Sequence, residues 1–165
     1  SMNADGRAQT NLSNDFAYDT NPRWSPDGSK IAFQRNILGE GGTSDIYVMN
    51  PDGTEQMNVT NDYLQENSLS WSPDSRSIAY ELDSRRGEDT EIYKINIEDL
   101  VNTRLTNSPG YDRTPRWSPD GSRIVFMSTR NGNAEIFTMD STDGGNLRNL
   151  SNDITYNDSF PDWSL

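Results

Sequence analysis

The 165-residue chain contains no cysteine and no histidine. Disulfides, thiolate nucleophiles, zinc-type ligand sets and histidine acid–base catalysis are therefore excluded. Positive charge is scarce as well: 14 Lys and Arg stand against 26 Asp and Glu, for a formal net charge of -12. Such a surface repels phosphate backbones and anionic lipid, so neither nucleic acid binding nor membrane insertion is expected; cations or basic protein patches suit it better. Apolar residues make up only 31% of the chain, and no run reaches the length of a membrane span or a secretory leader. The lack of cysteine leaves the compartment open. No segment carries a helical apolar period, so helix content should be close to nil. With so little apolar material the chain would pass for disordered, but four Trp, seven Tyr and five Phe point to thin, aromatic-rich cores.

What the chain does have is one phrase written repeatedly. RWSPDGSK at 23–30 returns as RWSPDGSR at 116–123, as SWSPDSRS at 70–77, and in shortened form as DWSL at 162–165. Trp24, Trp71, Trp117 and Trp163 are thus 47, 46 and 46 residues apart. A second marker keeps the same beat: Leu12-Ser13-Asn14, Val59-Thr60-Asn61, Leu105-Thr106-Asn107 and Leu150-Ser151-Asn152. A third does so once per unit, as Asp45-Ile46-Tyr47, Glu91-Ile92-Tyr93 and Glu135-Ile136-Phe137. Three markers in register define an internal repeat.

Each unit divides into four short strands. The first ends at Trp, and a Ser-Pro-Asp-Gly turn follows, in which Pro26, Pro73 and Pro119 preset φ while Gly28 and Gly121 accept positive φ. Ile31-Ala32-Phe33 and its counterparts form the second strand, Ile46-Tyr47-Val48-Met49 and its counterparts the third. Turns such as Pro51-Asp52-Gly53 and Asp143-Gly144 lead into the fourth. Four strands in about 46 residues is the arithmetic of a propeller blade. The expected fold is therefore all-β: three complete four-stranded blades with a single flanking strand at each terminus, in one domain over 1–165. Approximate repeats are 9–55, 56–101 and 102–145, with a partial one at 146–165. Trp24, Trp71, Trp117, Trp163, Pro26, Gly28, Pro73, Pro119 and Gly121 are expected to be structural. Ser75 stands where Gly28 and Gly121 stand, so Ser75→Gly should stabilise by roughly 0.5–1 kcal/mol. Three blades are too few for a closed ring of one chain. The open faces predict either a piece of a longer propeller or a homo-oligomer that covers them.

Five residues ahead of each Trp stands a carboxylate: Asp19, Glu66, Asp112 and Asp158. Four equivalent acids leading into first strands could rim one end of a central channel and attract a cation or basic ligand. The alternative is that each accepts backbone N–H bonds in its own loop. The acids opening the third strands, Asp45, Glu91 and Glu135, follow loops of unequal length at 34–44, 81–90 and 127–134, where partner contacts are expected. Gly39-Glu40-Gly41-Gly42 lacks the Lys-Ser/Thr of a phosphate loop. Arg85, Arg86 and Arg130 lie in the same loops and should pair with nearby acids. No catalytic residue, metal site or cofactor is assigned, and no G-x-S-x-G elbow is present.

The pattern D-x-x-P-x-W-S-P-D-G-S-x-I-A-F, followed by D/E-I-Y-x-M-N, D-G and L-T-N, resembles the TolB-like β-propeller repeat of the broader WD-like group. The resemblance runs over essentially the whole chain. It departs at Ser75, at Leu69 in place of Pro, and in the glycine-free turn at 96–100. It implies a non-enzymatic, periplasmic or extracellular scaffold that binds protein partners. Related propeller lyases depend on histidines, which are lacking here. The rival expectations are the accessory propeller of a serine peptidase and a self-assembling repeat unit without ligand.

Overall fold

The computed structural model describes residues 1–2, 5–36, 43–62, 64–83 and 89–164, in which there are twelve strands and no helix. The first blade comprises β1 (Tyr18–Trp24), β2 (Ile31–Asn36), β3 (Ser44–Met49) and β4 (Met57–Asn58). The second comprises β5 (Gln65–Trp71), β6 (Ser77–Asp83), β7 (Thr90–Asn96) and β8 (Asn102–Arg104). The third comprises β9 (Asp112–Trp117), β10 (Arg123–Ser128), β11 (Glu135–Asp140) and β12 (Arg148–Asn149). Within each blade the strands pair antiparallel in chain order. Consecutive blades are also joined by one parallel pairing each, Ser44 with Gln65 and Thr90 with Tyr111. Among the described residues the expected flanking strands form no ladder.

The repeated phrase is a polar device as much as a Pro-Gly turn. Gly28, Ser75 and Gly121 have φ of 71°, 63° and 72°, as the turn requires. Inside each turn a buried serine ties both ends. Ser118 N–H donates to the Arg123 carbonyl (2.9 Å), Arg123 N–H donates back to Ser118 Oγ (3.0 Å), and Ser118 Oγ donates to Asp120 Oδ1 (2.6 Å). Ser25 and Ser72 repeat the arrangement with Asp27 and Asp74. Ser75 also carries a bond that a glycine would lose: its Oγ accepts from Asp27 N–H of the first blade at 3.1 Å. That contact opposes the stabilisation expected of Ser75→Gly.

The cores lie between blades. One cluster joins Ala32, Ile46, Val48 and Val59 of the first blade to Leu69, Trp71, Ile78 and Tyr80 of the second. Another joins Ala79, Ile92 and Leu105 to Ile124, Phe126, Phe137 and Met139, with Trp117 packed against it. Middle strands β2 and β6 are buried on successive residues, as sheets covered on both faces must be. Two indoles add a polar lock: Trp71 Nε1 donates to the Arg23 carbonyl and Trp163 Nε1 to the Arg116 carbonyl, both at 3.1 Å, whereas the buried Trp117 Nε1 has no hydrogen-bond partner. In each case the acceptor is the residue before the Trp of the preceding repeat. Trp71 is 7% exposed, whereas Trp24 is 55% exposed.

Two sequence markers that kept the same beat meet across these junctions. The Asp-Gly turn of a blade closes on the first residue of the Leu-Ser/Thr-Asn marker that precedes that blade's first strand. A Cβ on Gly144 would lie 1.9 Å from the Leu105 carbonyl oxygen, and one on Gly53 would lie 2.4 Å from that of Leu12. Only glycine permits this approach. The second blade, whose 96–100 turn has no glycine, instead packs Ile97 against the cluster that holds Val59.

Candidate functional site

Along each blade the third residue before Trp sits at positive φ: Asn21 at 50°, Ser68 at 50°, Thr114 at 54° and Phe160 at 55°. In the first strands of the three blades this residue coincides with a bulge, and it sets how the carboxylate two positions earlier is aimed. The residue types share nothing that would have announced it.

The four carboxylates expected to act alike have different surroundings. Asp19 accepts from Arg35 Nε (2.8 Å) and Nη2 (2.9 Å), and Asp15 lies 3.2 Å from the same guanidinium. Burial raises the Asp19 carboxyl, but hydrogen bonds from Arg35 and Ser13 and the Arg35 charge together outweigh it and hold the group below its ordinary value. Asp112 is buried and accepts from Arg130 Nη2 (2.8 Å) and Ser108 Oγ (3.1 Å). Asp158 is half-buried at the end of the chain, its N–H on the Ala134 carbonyl (2.8 Å). Among the described residues no hydrogen bond or ion pair joins any two of the four. The arginines also cap cross-strand aromatic pairs: Arg35 lies over Phe33 and Tyr47, Arg130 over Phe126 and Phe137. The matching pair of the middle blade, Tyr80 with Tyr93, has no arginine above it among the described residues.

Glu66 is the exception. Its side chain is fully buried and neither carboxylate oxygen has a hydrogen-bond partner. Asp45 and Asp62 converge on it, one carboxylate oxygen from each of the three lying within 4.8 Å of the others. Burial, followed by the charges of Asp62 and Asp45, pushes the Glu66 carboxyl up to about 10. Burial likewise raises Asp45, against a hydrogen bond from Asn58 Nδ2. The backbone there is firmly held, since the Glu66 carbonyl accepts from Gln34 Nε2 and from Ser44 Oγ of the first blade. The other third-strand acids are satisfied: Glu91 by Arg104 (2.7 Å), Thr106 and Ser108, and Glu135 by Asn131 and Asn149. Gly39-Glu40-Gly41-Gly42 and Arg85-Arg86 lie outside the described residues.

The family model of the TolB beta propeller domain matches residues 68–165, more than half of the chain. The chain belongs to the TolB β-propeller domain family. No curated protein sequence matches it. Among solved structures, putative TolB from Agrobacterium tumefaciens is 26% identical with a TM-score of 0.69, over 88% of this chain and 65% of that one. TolB from Acinetobacter baumannii is 27% identical with a TM-score of 0.71, over 90% of this chain and 36% of that one. The chain thus spans less than two thirds of the length of either TolB. The β-propeller domain of the Trilobed protease from Pyrococcus furiosus, 17% identical with a TM-score of 0.68 over 86% of this chain and 44% of that one, shares the fold.

Proposed function

We propose that this TolB-family propeller is a non-enzymatic scaffold that binds protein, with the exposed face of its first blade as the docking surface. One observation carries the reading. Trp24 is exposed at the position where Trp71 is buried against the preceding blade. Beside it Leu12 and Pro22 border a concave pocket floored by the buried Ile31, Phe33 and Met49, and Phe16 and Tyr18 are exposed nearby in the chain. Exposed apolar ground of this kind marks an interaction site. A second copy fits it: Trp24 Nε1 of one chain would donate to the Asp162 carbonyl of another, as Trp71 does to Arg23 and Trp163 to Arg116. That contact is head-to-tail and closes only if the blade rotation completes a ring. Further partners would meet the blade loops, and the net charge of -12 favours basic ones. A periplasmic or extracellular setting follows by resemblance to TolB.

The test is Trp24→Asp. The variant should keep the thermal stability of the wild-type subunit to within about 0.5 kcal/mol, since the side chain faces solvent there, while self-association measured by sedimentation is lost. Unchanged association in the variant would remove Trp24 from the interface.

The partial coverage of both TolB chains favours a second reading, in which the same face seats a preceding blade of a larger propeller. In the peptidase version of that reading the parent gene encodes an α/β-hydrolase segment. Sequencing the flanking coding region decides it.

A further inference from the structure

Asp45, Asp62 and Glu66 bring three carboxylates together at the junction of the first two blades with no basic group among the described residues to balance them. The next junction shows what this protein does when it supplies the balance itself. There Glu91 replaces Asp45 and is paired with Arg104, Asp112 replaces Glu66 and is paired with Arg130, and Ser108 replaces Asp62 and bonds both acids. At the first junction both guanidinium charges are withdrawn, and Asp45 keeps only a neutral amide, Asn58 Nδ2, where Glu91 has Arg104. Asn58 pairs with Tyr47 in the ladder as Arg104 does with Tyr93. Leu82 lies opposite Glu66, whereas Arg35 lies opposite Asp19. The serine has become a third acid.

Two further facts separate this cluster from ordinary surface acidity. Glu66 is 0% and Asp45 2% exposed, and Asp45 Oδ1 and both Glu66 oxygens have no hydrogen-bond partner. Unpaired, desolvated carboxylates are costly to keep in a fold. A ligand that removes the cost must be cationic, small and oxygen-seeking, because the donors are carboxylates alone and the chain has no His or Cys. Oxygen atoms within 4.8 Å of one another are within the reach of an ion of calcium's size, whose bonds to oxygen are about 2.3–2.6 Å. Asp62, half-buried, offers the way in from solvent.

We propose that Asp45, Asp62 and Glu66 form a binding site for one calcium-class divalent cation, which fastens the first blade to the second. The site stands apart from the docking face around Trp24 and holds whether or not that face binds protein.

The experiment uses the whole chain after treatment with chelator, titrated calorimetrically with calcium chloride and separately with magnesium chloride, alongside thermal unfolding in calcium or in chelator. The expected result is one calcium per chain, tighter than magnesium, and a melting temperature that rises with calcium. Glu66→Gln and Asp62→Asn should each weaken calcium binding at least tenfold. In chelator, Glu66→Gln should melt at or above the wild-type temperature, because it replaces a buried, unpartnered carboxyl with a neutral amide of the same shape. If Glu66→Gln does not fold, Asp62→Asn, at the more exposed position, carries the binding test. Absence of both a binding heat and a melting shift in the wild type overturns the proposal. So does tenfold tightness kept in both variants, or a Glu66→Gln protein less stable than wild type in chelator, which would mean that the chain itself satisfies the Glu66 carboxyl.

Discussion

Replacing Gly144 with alanine tests the packing between blades more sharply than any core truncation. Two costs are separable there. At φ 76° an alanine is strained by about 1–2 kcal/mol. Its Cβ would also lie 1.9 Å from the Leu105 carbonyl oxygen and 2.8 Å from the carbonyl carbon. Both belong to backbone, so relief requires the third blade to move off the second by more than a side-chain adjustment. Overpacking of this kind costs about 1–3 kcal/mol, which brings the total to roughly 2–5 kcal/mol, a large share of a domain's usual stability of about 5–15 kcal/mol. Gly28→Ala is the control. Its φ of 71° imposes the same strain, but nothing lies within 4 Å of the added Cβ, so about 1–2 kcal/mol is expected. Gly53→Ala, 2.4 Å from the Leu12 carbonyl oxygen, should fall between them, since Leu12 belongs to a segment without ladder hydrogen bonds that can yield. Urea unfolding followed by tryptophan emission measures all three. Equal losses for Gly144→Ala and Gly28→Ala would refute the claim that the Asp-Gly turn is pressed against the preceding blade.

Two further outcomes follow from the turns. The hydrogen bonds from the Ser118 hydroxyl, the Ser122 N–H and the Ser122 hydroxyl lower the Asp120 carboxyl to about 2. Its folded-state value is thus below the unfolded one, so its contribution is complete above the unfolded value of about 3.8 and is lost as pH falls toward 2. Asp120→Asn should be less stable than wild type at neutral pH, with the gap in urea midpoint closing between pH 4 and 2; a gap independent of pH would contradict this. For Ser75→Gly, relief of the 63° φ, about 0.5–1 kcal/mol, is set against the bond from Asp27 N–H, about 0.5–1.5 kcal/mol. The melting temperature should barely move, and a clear rise would show that the contact between turns contributes nothing.

Periodicity made the blades legible because each Trp, each Pro-Asp turn and each Asp/Glu-Ile-Tyr/Phe strand recurs in register. Glycine signalled positive φ at Gly28 and Gly121, and the turn carried Ser75 with it. The Asn of the Leu-Ser/Thr-Asn marker also has a local reason, since Asn14, Asn61 and Asn152 adopt φ of 45–46°, which Asn tolerates well. Other features left no such trace. The bulge before each Trp is occupied by Asn21, Ser68, Thr114 and Phe160, which have no property in common, because the blade geometry and not the side chain imposes it. The pressing of Gly144 on Leu105 joins the third blade to the residue that follows the last strand of the second. At the acidic positions, equal offsets concealed unequal partners. The arginine that balances Asp19 is two residues past Phe33, and the one that balances Asp112 is four past Phe126. Period alone therefore suggested four equivalent acids, while the pairing distinguishes Glu66 from the rest.

The account depends most on the first blade presenting, unfilled, the same seat that the later blades fill. Sedimentation of the wild-type chain from micromolar to millimolar concentration tests this directly. Association into multiples of 18.6 kDa that Trp24→Asp abolishes is the predicted result, and a single 18.6 kDa species at every concentration would contradict it.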